Sequence, residues 1–167
     1  MKFLRIFLRK RRVKRAALIQ FDSDGELEWQ KTWDTGLDDE LWRLTSASDF
    51  IYCAGSTQGY NDGDFLLLKI SNTGSLAWGR CWSNTDFGSD QECRGLCLGS
   101  DSNIFLTGDF ATFGSRCALV EFSSSGNLIS ERRWGDLFGA VGYGVTLSPD
   151  GYVLLAGSSA DNTGSWS

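Results

Sequence analysis

The chain repeats itself with a period near fifty residues, and that periodicity constrains its fold more than any other feature. Three segments align without a gap: Ala17 to Trp33, Leu66 to Trp82 and Ala118 to Trp134. Each runs from apolar residues through a polar turn and a glycine to a closing tryptophan. The turn glycines Gly25, Gly74 and Gly126 lie 49 and 52 residues apart. A second element recurs between these segments. Phe50 to Gly55, Asn103 to Gly108 and Tyr152 to Gly157 each carry an apolar run closed by glycine, at spacings of 53 and 49. Two independent markers sharing one period point to stacked copies of one supersecondary unit. Periods of about 40–50 residues suit four-stranded sheets arranged radially.

The local pattern is strand throughout. Short apolar runs alternate with turn signals at Asp24-Gly25, Asp62-Gly63, Thr73-Gly74 and Pro149-Asp150-Gly151, as hairpins and meanders require. The glycines of these turns supply the positive φ that a tight turn needs. No helical pattern of about ten residues or more follows residue 15. Each period holds four strands. Inner strands are expected over 40–46, 93–99 and 141–147, second strands over 50–56, 103–109 and 152–158. Third strands fall at 17–22, 65–71 and 117–123, outer strands at 26–33, 75–82 and 127–134. Trp33, Trp82 and Trp134 share one outer-strand position and are expected to pack between adjacent sheets. The resulting division is a basic arm (1–15), a half blade (16–34), two blades (35–83 and 84–135) and a second half blade (136–167).

Segments such as Asp64 to Trp78 and Asp150 to Ser158 resemble the SBBP-type repeats of the seven-bladed β-propeller family over residues 17–159. A weaker similarity is to quinoprotein-type propeller repeats, whose blades also carry a glycine followed by tryptophan. The resemblance implies an all-β fold of four-stranded antiparallel β-propeller blades. It implies no activity, because such repeats occur in unrelated proteins. Two blades and two halves amount to about three blades, too few to close a seven-bladed ring. Two readings follow. The chain is a fragment of a larger propeller, or two copies form a homodimer in which the half blades complete each other and close a six-bladed ring.

Charge is unevenly spread. Residues 1–15 hold 8 of the 16 basic residues and no acid, so the remainder holds 8 basic and 21 acidic residues, a net of 8 − 21 = −13. The arm carries neither a signal-peptide apolar stretch nor a membrane-spanning run. Its expected location is therefore cytoplasmic by default, with membrane-surface contact through the arm as a minor alternative to a solvated tail. The acidic body is expected to repel nucleic acid.

Composition narrows the chemistry. The chain has no His, which excludes Ser-His and Cys-His catalysis and His-ligated metals. Its five cysteines (Cys53, Cys81, Cys93, Cys97, Cys117) show no CxxC spacing and read as small buried apolar residues. Cys93 and Cys97, four apart, are expected on one face of a strand. No metal and no cofactor are implied. Asp22-Ser-Asp24-Gly25 resembles the start of a Ca²⁺ loop, but its repeats Ser71-Asn-Thr-Gly74 and Ser123-Ser-Ser-Gly126 lack the carboxylates, which favours a turn.

The acids concentrate in loops expected at one end of the sheets, over 34–40, 56–64, 83–92, 109–116, 135–140 and 159–167. The candidate binding cluster is Asp38, Asp39 and Glu40 with Asp86, Asp90 and Glu92, from equivalent loops of successive blades. Such a face would attract cations or a basic partner. The expected function is a non-catalytic β-propeller module for binding or scaffolding, with a protein or a glycan as partner. The alternative is a glycan-directed enzyme or lectin-like module that uses the acidic loop residues, with an exposed tryptophan such as Trp42 stacking on sugar.

Overall fold

A computed structural model of the chain describes residues 13–59, 63–83, 91–112, 114–135 and 139–160. Within them the fold is all-β. Strands β1 (Ala16–Phe21) and β2 (Leu27–Trp33) form an antiparallel pair. Strands β3 (Asp39–Ala47), β4 (Phe50–Thr57), β5 (Asp64–Ser71) and β6 (Leu76–Trp82) form a four-stranded antiparallel meander. The same meander recurs in β7 (Gln91–Leu98), β8 (Ile104–Thr112), β9 (Gly114–Phe122) and β10 (Leu128–Trp134). A last pair, β11 (Ala140–Leu147) and β12 (Val153–Ser159), closes the series. Among the described residues no helix is long and apolar enough to cross a membrane.

The expected strands are present, with differences of extent at their ends. The hairpin of β8 and β9 runs to Thr112 and Gly114 where the sequence suggested a loop over 109–116. Asp109 faces Cys117 and Phe110 faces Arg116 in a continuing ladder. Burial of Phe110 against the neighbouring sheet holds that extension in place. Asp39, Glu40, Asp64 and Glu92, expected in loops, likewise lie within strands.

Alternation decides what each face meets. On β5, Phe65 and Leu67 join Tyr52, Ala54 and Trp82 in a core shared with Ile104, Leu106, Val120 and Phe122 of the next meander. The intervening Leu66, Leu68 and Ile70 point to the other face, where Leu18 and Trp33 of the first pair cover them. A strand buried on both faces needs a continuous apolar run, and Phe65 to Leu68 is one. Successive sheets therefore stack face to face in chain order: β1 lies against β3, β7 against β3, β4 and β5, and β11 against β7, β8 and β9.

The repeated tryptophans are the wedges between sheets. Trp82 is 4% exposed, with Phe65 and Phe110 at 5.0 and 6.3 Å between ring centroids. Its indole N–H donates to Glu131 Oε2 of the next sheet at 2.7 Å. Trp33 packs on the β3–β6 sheet over Gly79. Trp134 is 46% exposed, because β11–β12 covers only part of the surface that a four-stranded sheet would cover. Trp29 and Trp78 also repeat, each lying on the turn glycine of the following sheet, Gly74 and Gly126.

Each inner strand carries a β-bulge at one shared position. Pairing steps from Leu41 to Arg43, from Cys93 to Gly95 and from Gly142 to Gly144, which leaves Trp42, Arg94 and Tyr143 without a ladder partner. The bulge explains the second repeated glycine. A Cβ on Gly55, Gly108 or Gly157 would lie 1.9, 1.9 or 2.1 Å from the carbonyl oxygen of Glu40, Glu92 or Val141, the residue two before the bulged one. The extra residue also overturns one expectation. Cys93 and Cys97 do not share a face, because one inserted residue reverses the alternation beyond it. Cys93 sits in the core with Leu96 and Leu98, and Cys97 faces away from it. Cys53, Cys93 and Cys117 are buried, whereas Cys81 is exposed.

Gly55→Ala and Gly108→Ala should each lower stability by about 1–3 kcal/mol, the cost of forcing atoms into a packed site. A Cβ on Gly144 would meet nothing within 4 Å, so Gly144→Ala should be neutral or slightly stabilising. Denaturant melts of the three variants check this, and equal costs at all three would contradict the bulge explanation.

Candidate functional site

Of the six candidate acids, Asp38, Asp39, Glu40 and Glu92 lie within the described residues, and Asp86 and Asp90 lie outside them. The four do not act alike. Asp39 is fully buried. Its carboxylate accepts from the backbone N–H of Thr35 at 2.7 Å, from the Thr35 hydroxyl at 3.0 Å and from the Thr57 hydroxyl at 2.5 Å. Asp39 thus ties the loop before β3 to the end of β4. Its neighbours receive the last residues of the basic arm. The backbone N–H of Lys14 donates to Asp38 Oδ1 at 3.0 Å, the Lys14 ammonium pairs with Glu40 at 2.7 Å, and Arg15 pairs with Asp34 at 2.7 Å. The Asp39 N–H donates to the Lys14 carbonyl at 3.0 Å. Residues 13–15 are therefore stitched to the body, whereas residues 1–12 of the basic arm lie outside the described residues.

The Asp22 turn is a capped hairpin. Asp22 Oδ1 accepts from the N–H groups of Asp24 and Glu26 at 2.9 and 2.8 Å. The hydroxyls of Ser71 and Ser123 accept from Ser75 and Asn127, both at 3.1 Å, in the equivalent turns. Side-chain oxygens of Asp and Ser substitute for one another in this role.

The geometry places a different group of side chains together. The bulged residues Trp42, Arg94 and Tyr143, from three successive sheets, converge on one groove of about 270 Å³, which Arg43 and Glu92 also line. The Arg94 guanidinium carbon lies 5.9 Å from the Trp42 ring centroid and 5.8 Å from that of Tyr143, within cation–π range of both. Its Nε donates to Asp109 Oδ1 at 2.6 Å, and Nη2 pairs with Glu92. Bulges re-aim side chains in this way and are common beside functional sites. Glu92 was legible as a site candidate and Trp42 as a stacking residue. Arg94 and Tyr143 were not, because a bulge leaves no mark in composition. The available signal was a long side chain three residues after Asp39, Gln91 and Ala140 in each inner strand.

No protein-family model matches the chain, and no curated protein matches it. A solved structure, that of a protein of unknown function from Bacteroides caccae, is similar in fold at 12% sequence identity and a TM-score of 0.50. The match covers 85% of this chain and 50% of that one, so the chain spans about half the length of that structure. The likeness extends to the arrangement of strands and not to a function.

Two acids give checkable consequences. Asp39→Ala should cost about 1–3 kcal/mol, since it leaves buried donors of Thr35 and Thr57 without their acceptor. Glu40→Ala breaks only an exposed pair and should cost less than about 1 kcal/mol. Chemical denaturation of both variants separates the roles.

Asp64 differs from both. Burial raises its pKa above the usual carboxylate range, against the lowering effect of a hydrogen bond with Ser83. One of its oxygens is buried without a partner. A raised folded pKa favours the protonated native state. Its contribution is present at low pH and is lost as pH rises through the raised value. Asp64→Asn should therefore melt higher than the wild type at about pH 7, with the gap closing as the pH falls toward about 3. A gap that widens on acidification would contradict this assignment.

Proposed function

We propose that the chain is a non-catalytic β-propeller repeat module, built for binding or scaffolding, that supplies about three blades of a ring. One observation carries the reading. The β1–β2 pair repeats the third and outer strands of a meander, and β11–β12 repeats the inner and second strands. Placed side by side in the order β11-β12-β1-β2, they make one further four-stranded sheet. Among the described residues neither β12 nor β1 has a strand on its outer side. The half sheets expose Ile19, Phe21, Tyr152 and Leu154, and Trp134 stands half uncovered beside them. Unpaired strand edges of this kind invite another strand.

A second copy supplies the missing half in each direction, through the self-complementary contact of a two-fold dimer. The resemblance of the repeats to SBBP-type blades supports the same architecture. The length of the Bacteroides caccae structure, about twice the matched region, favours a second reading in which further blades of one polypeptide meet the same edges. The binding role rests on the bulged side chains, which three sheets aim into one groove. The acids Asp39 and Glu40 serve the loop and the arm, which leaves them little part in catalysis.

Size-exclusion chromatography with light scattering should give twice 18.4 kDa, about 37 kDa. Trp134→Ala should shift the dimer toward monomer, since a partner strand pair would cover that ring as the β7–β10 sheet covers Trp82. A wild-type chain that stays monomeric and folded would overturn mutual completion.

A further inference from the structure

We infer that the groove formed by Trp42, Arg94 and Tyr143 is a binding site for neutral oligosaccharide. The inference rests on the binding-module reading but not on ring closure, because the three residues come from three sheets of one chain.

The backbone builds the site. A bulged residue has no ladder partner, and its side chain is aimed by the extra residue and not by the strand's alternation. Three bulges in one register turn three side chains toward the same space. Two of them are aromatic, and Tyr143 is 51% exposed. Half-exposed Tyr143 and part-buried Trp42 offer flat apolar platforms, and the apolar C–H face of a pyranose is a flat surface of matching size. Between the rings stands Arg94, a planar fork of donors. Asp109 and Glu92 hold that fork in one orientation. Further guanidinium N–H groups remain to donate to ligand hydroxyls, and the carboxylates carry additional lone pairs to accept from them. Donors and acceptors fixed beside an aromatic face are what a polyhydroxylated ring can satisfy.

Charge selects against the competing ligands. Arg43 and Arg94 balance Glu92 and Asp109 around the groove, so the site has no net charge to attract an ion. A quaternary ammonium would need the space between the rings, and that space already holds a guanidinium within 6 Å of both. A phosphate or carboxylate would have to draw Arg94 away from two acids that already satisfy it. The net negative charge of residues 16–167 opposes polyanions further. A neutral ligand rich in hydroxyls needs none of these contacts to break.

The test titrates the purified 167-residue chain, by calorimetry, with cellohexaose, laminarihexaose, mannohexaose, maltohexaose and chitin hexasaccharide. Inorganic phosphate and tetramethylammonium are run beside them. The expected result is saturable binding of at least one oligosaccharide and of neither ion. Trp42→Ala and Tyr143→Ala should each weaken that binding about tenfold, the ratio that loss of one stacked ring produces. Arg94→Lys keeps the charge but not the fork, and should weaken binding comparably. Melting curves establish that each variant is folded. If Trp42→Ala does not fold, Tyr143→Ala, altering a half-exposed side chain, carries the test. Absence of binding by all five sugars, undiminished binding by folded Tyr143→Ala, or binding of phosphate or tetramethylammonium in place of sugar would each overturn the assignment. A monomer that binds sugar would refute ring closure alone, and a dimer that does not would refute the glycan site alone.

Discussion

Every sheet in this chain depends on the next one for the burial of its apolar face. A four-stranded meander has two such faces and cannot cover either by itself. The core between the two complete meanders shows the arrangement satisfied on both sides, with Phe65, Leu67 and Trp82 set against Ile104, Phe110 and Val120. Stability of such a stack is close to a sum of nearest-neighbour terms. The three equivalent tryptophans report those terms one by one. Trp82 has a full sheet above it and a hydrogen-bond acceptor in Glu131. Trp33 has a full sheet but meets Gly79 at the position where Trp82 meets Glu131, and its indole N–H is buried without a partner. Trp134 meets a half sheet and remains half exposed. One residue type at one repeat position therefore has three fates, each set by its neighbour.

The acidic character of the body is in part a local matter. Asp34 and Glu40 pair with Arg15 and Lys14, and Asp38 accepts the Lys14 backbone N–H, so the end of the basic arm neutralises two of the acids nearest to it. Asp109 and Glu92 clamp Arg94. The largely exposed pairs of the arm add little to stability. What they do fix is position: the arm's last residues lie along the loop before β3, and one guanidinium is held between two rings.

Much of the fold was legible because the signals were local and repeated. Turn glycines such as Gly74 and Gly126, with φ of +77° and +81°, mark hairpins whatever surrounds them. Apolar runs such as Phe65 to Leu68 mark strands buried on both sides. What escaped was whatever depends on register. A bulge adds one residue without changing the type of any, so the separation of Cys93 from Cys97 left no trace, and the convergence of Trp42, Arg94 and Tyr143 left only their shared place in the repeat. Asp39 escaped for a related reason. Its neighbours Asp38 and Glu40 resemble it in the sequence, yet strand alternation and the hydroxyls of Thr35 and Thr57 draw Asp39 alone inside.

The bulge separates two jobs that a strand residue usually combines. At most ladder positions a side chain must suit its cross-strand neighbours, so changing it disturbs the sheet. Here the fit is made by backbone, the carbonyls of Glu40, Glu92 and Val141 against the glycines opposite. The side chain two residues further along has no such duty. Within this one chain the glycine is the same in all three copies while the bulged residue is tryptophan, arginine or tyrosine. Duplication of the unit would thus copy a fixed frame with one open socket per sheet, and a new surface could arise by refilling sockets without rebuilding the frame.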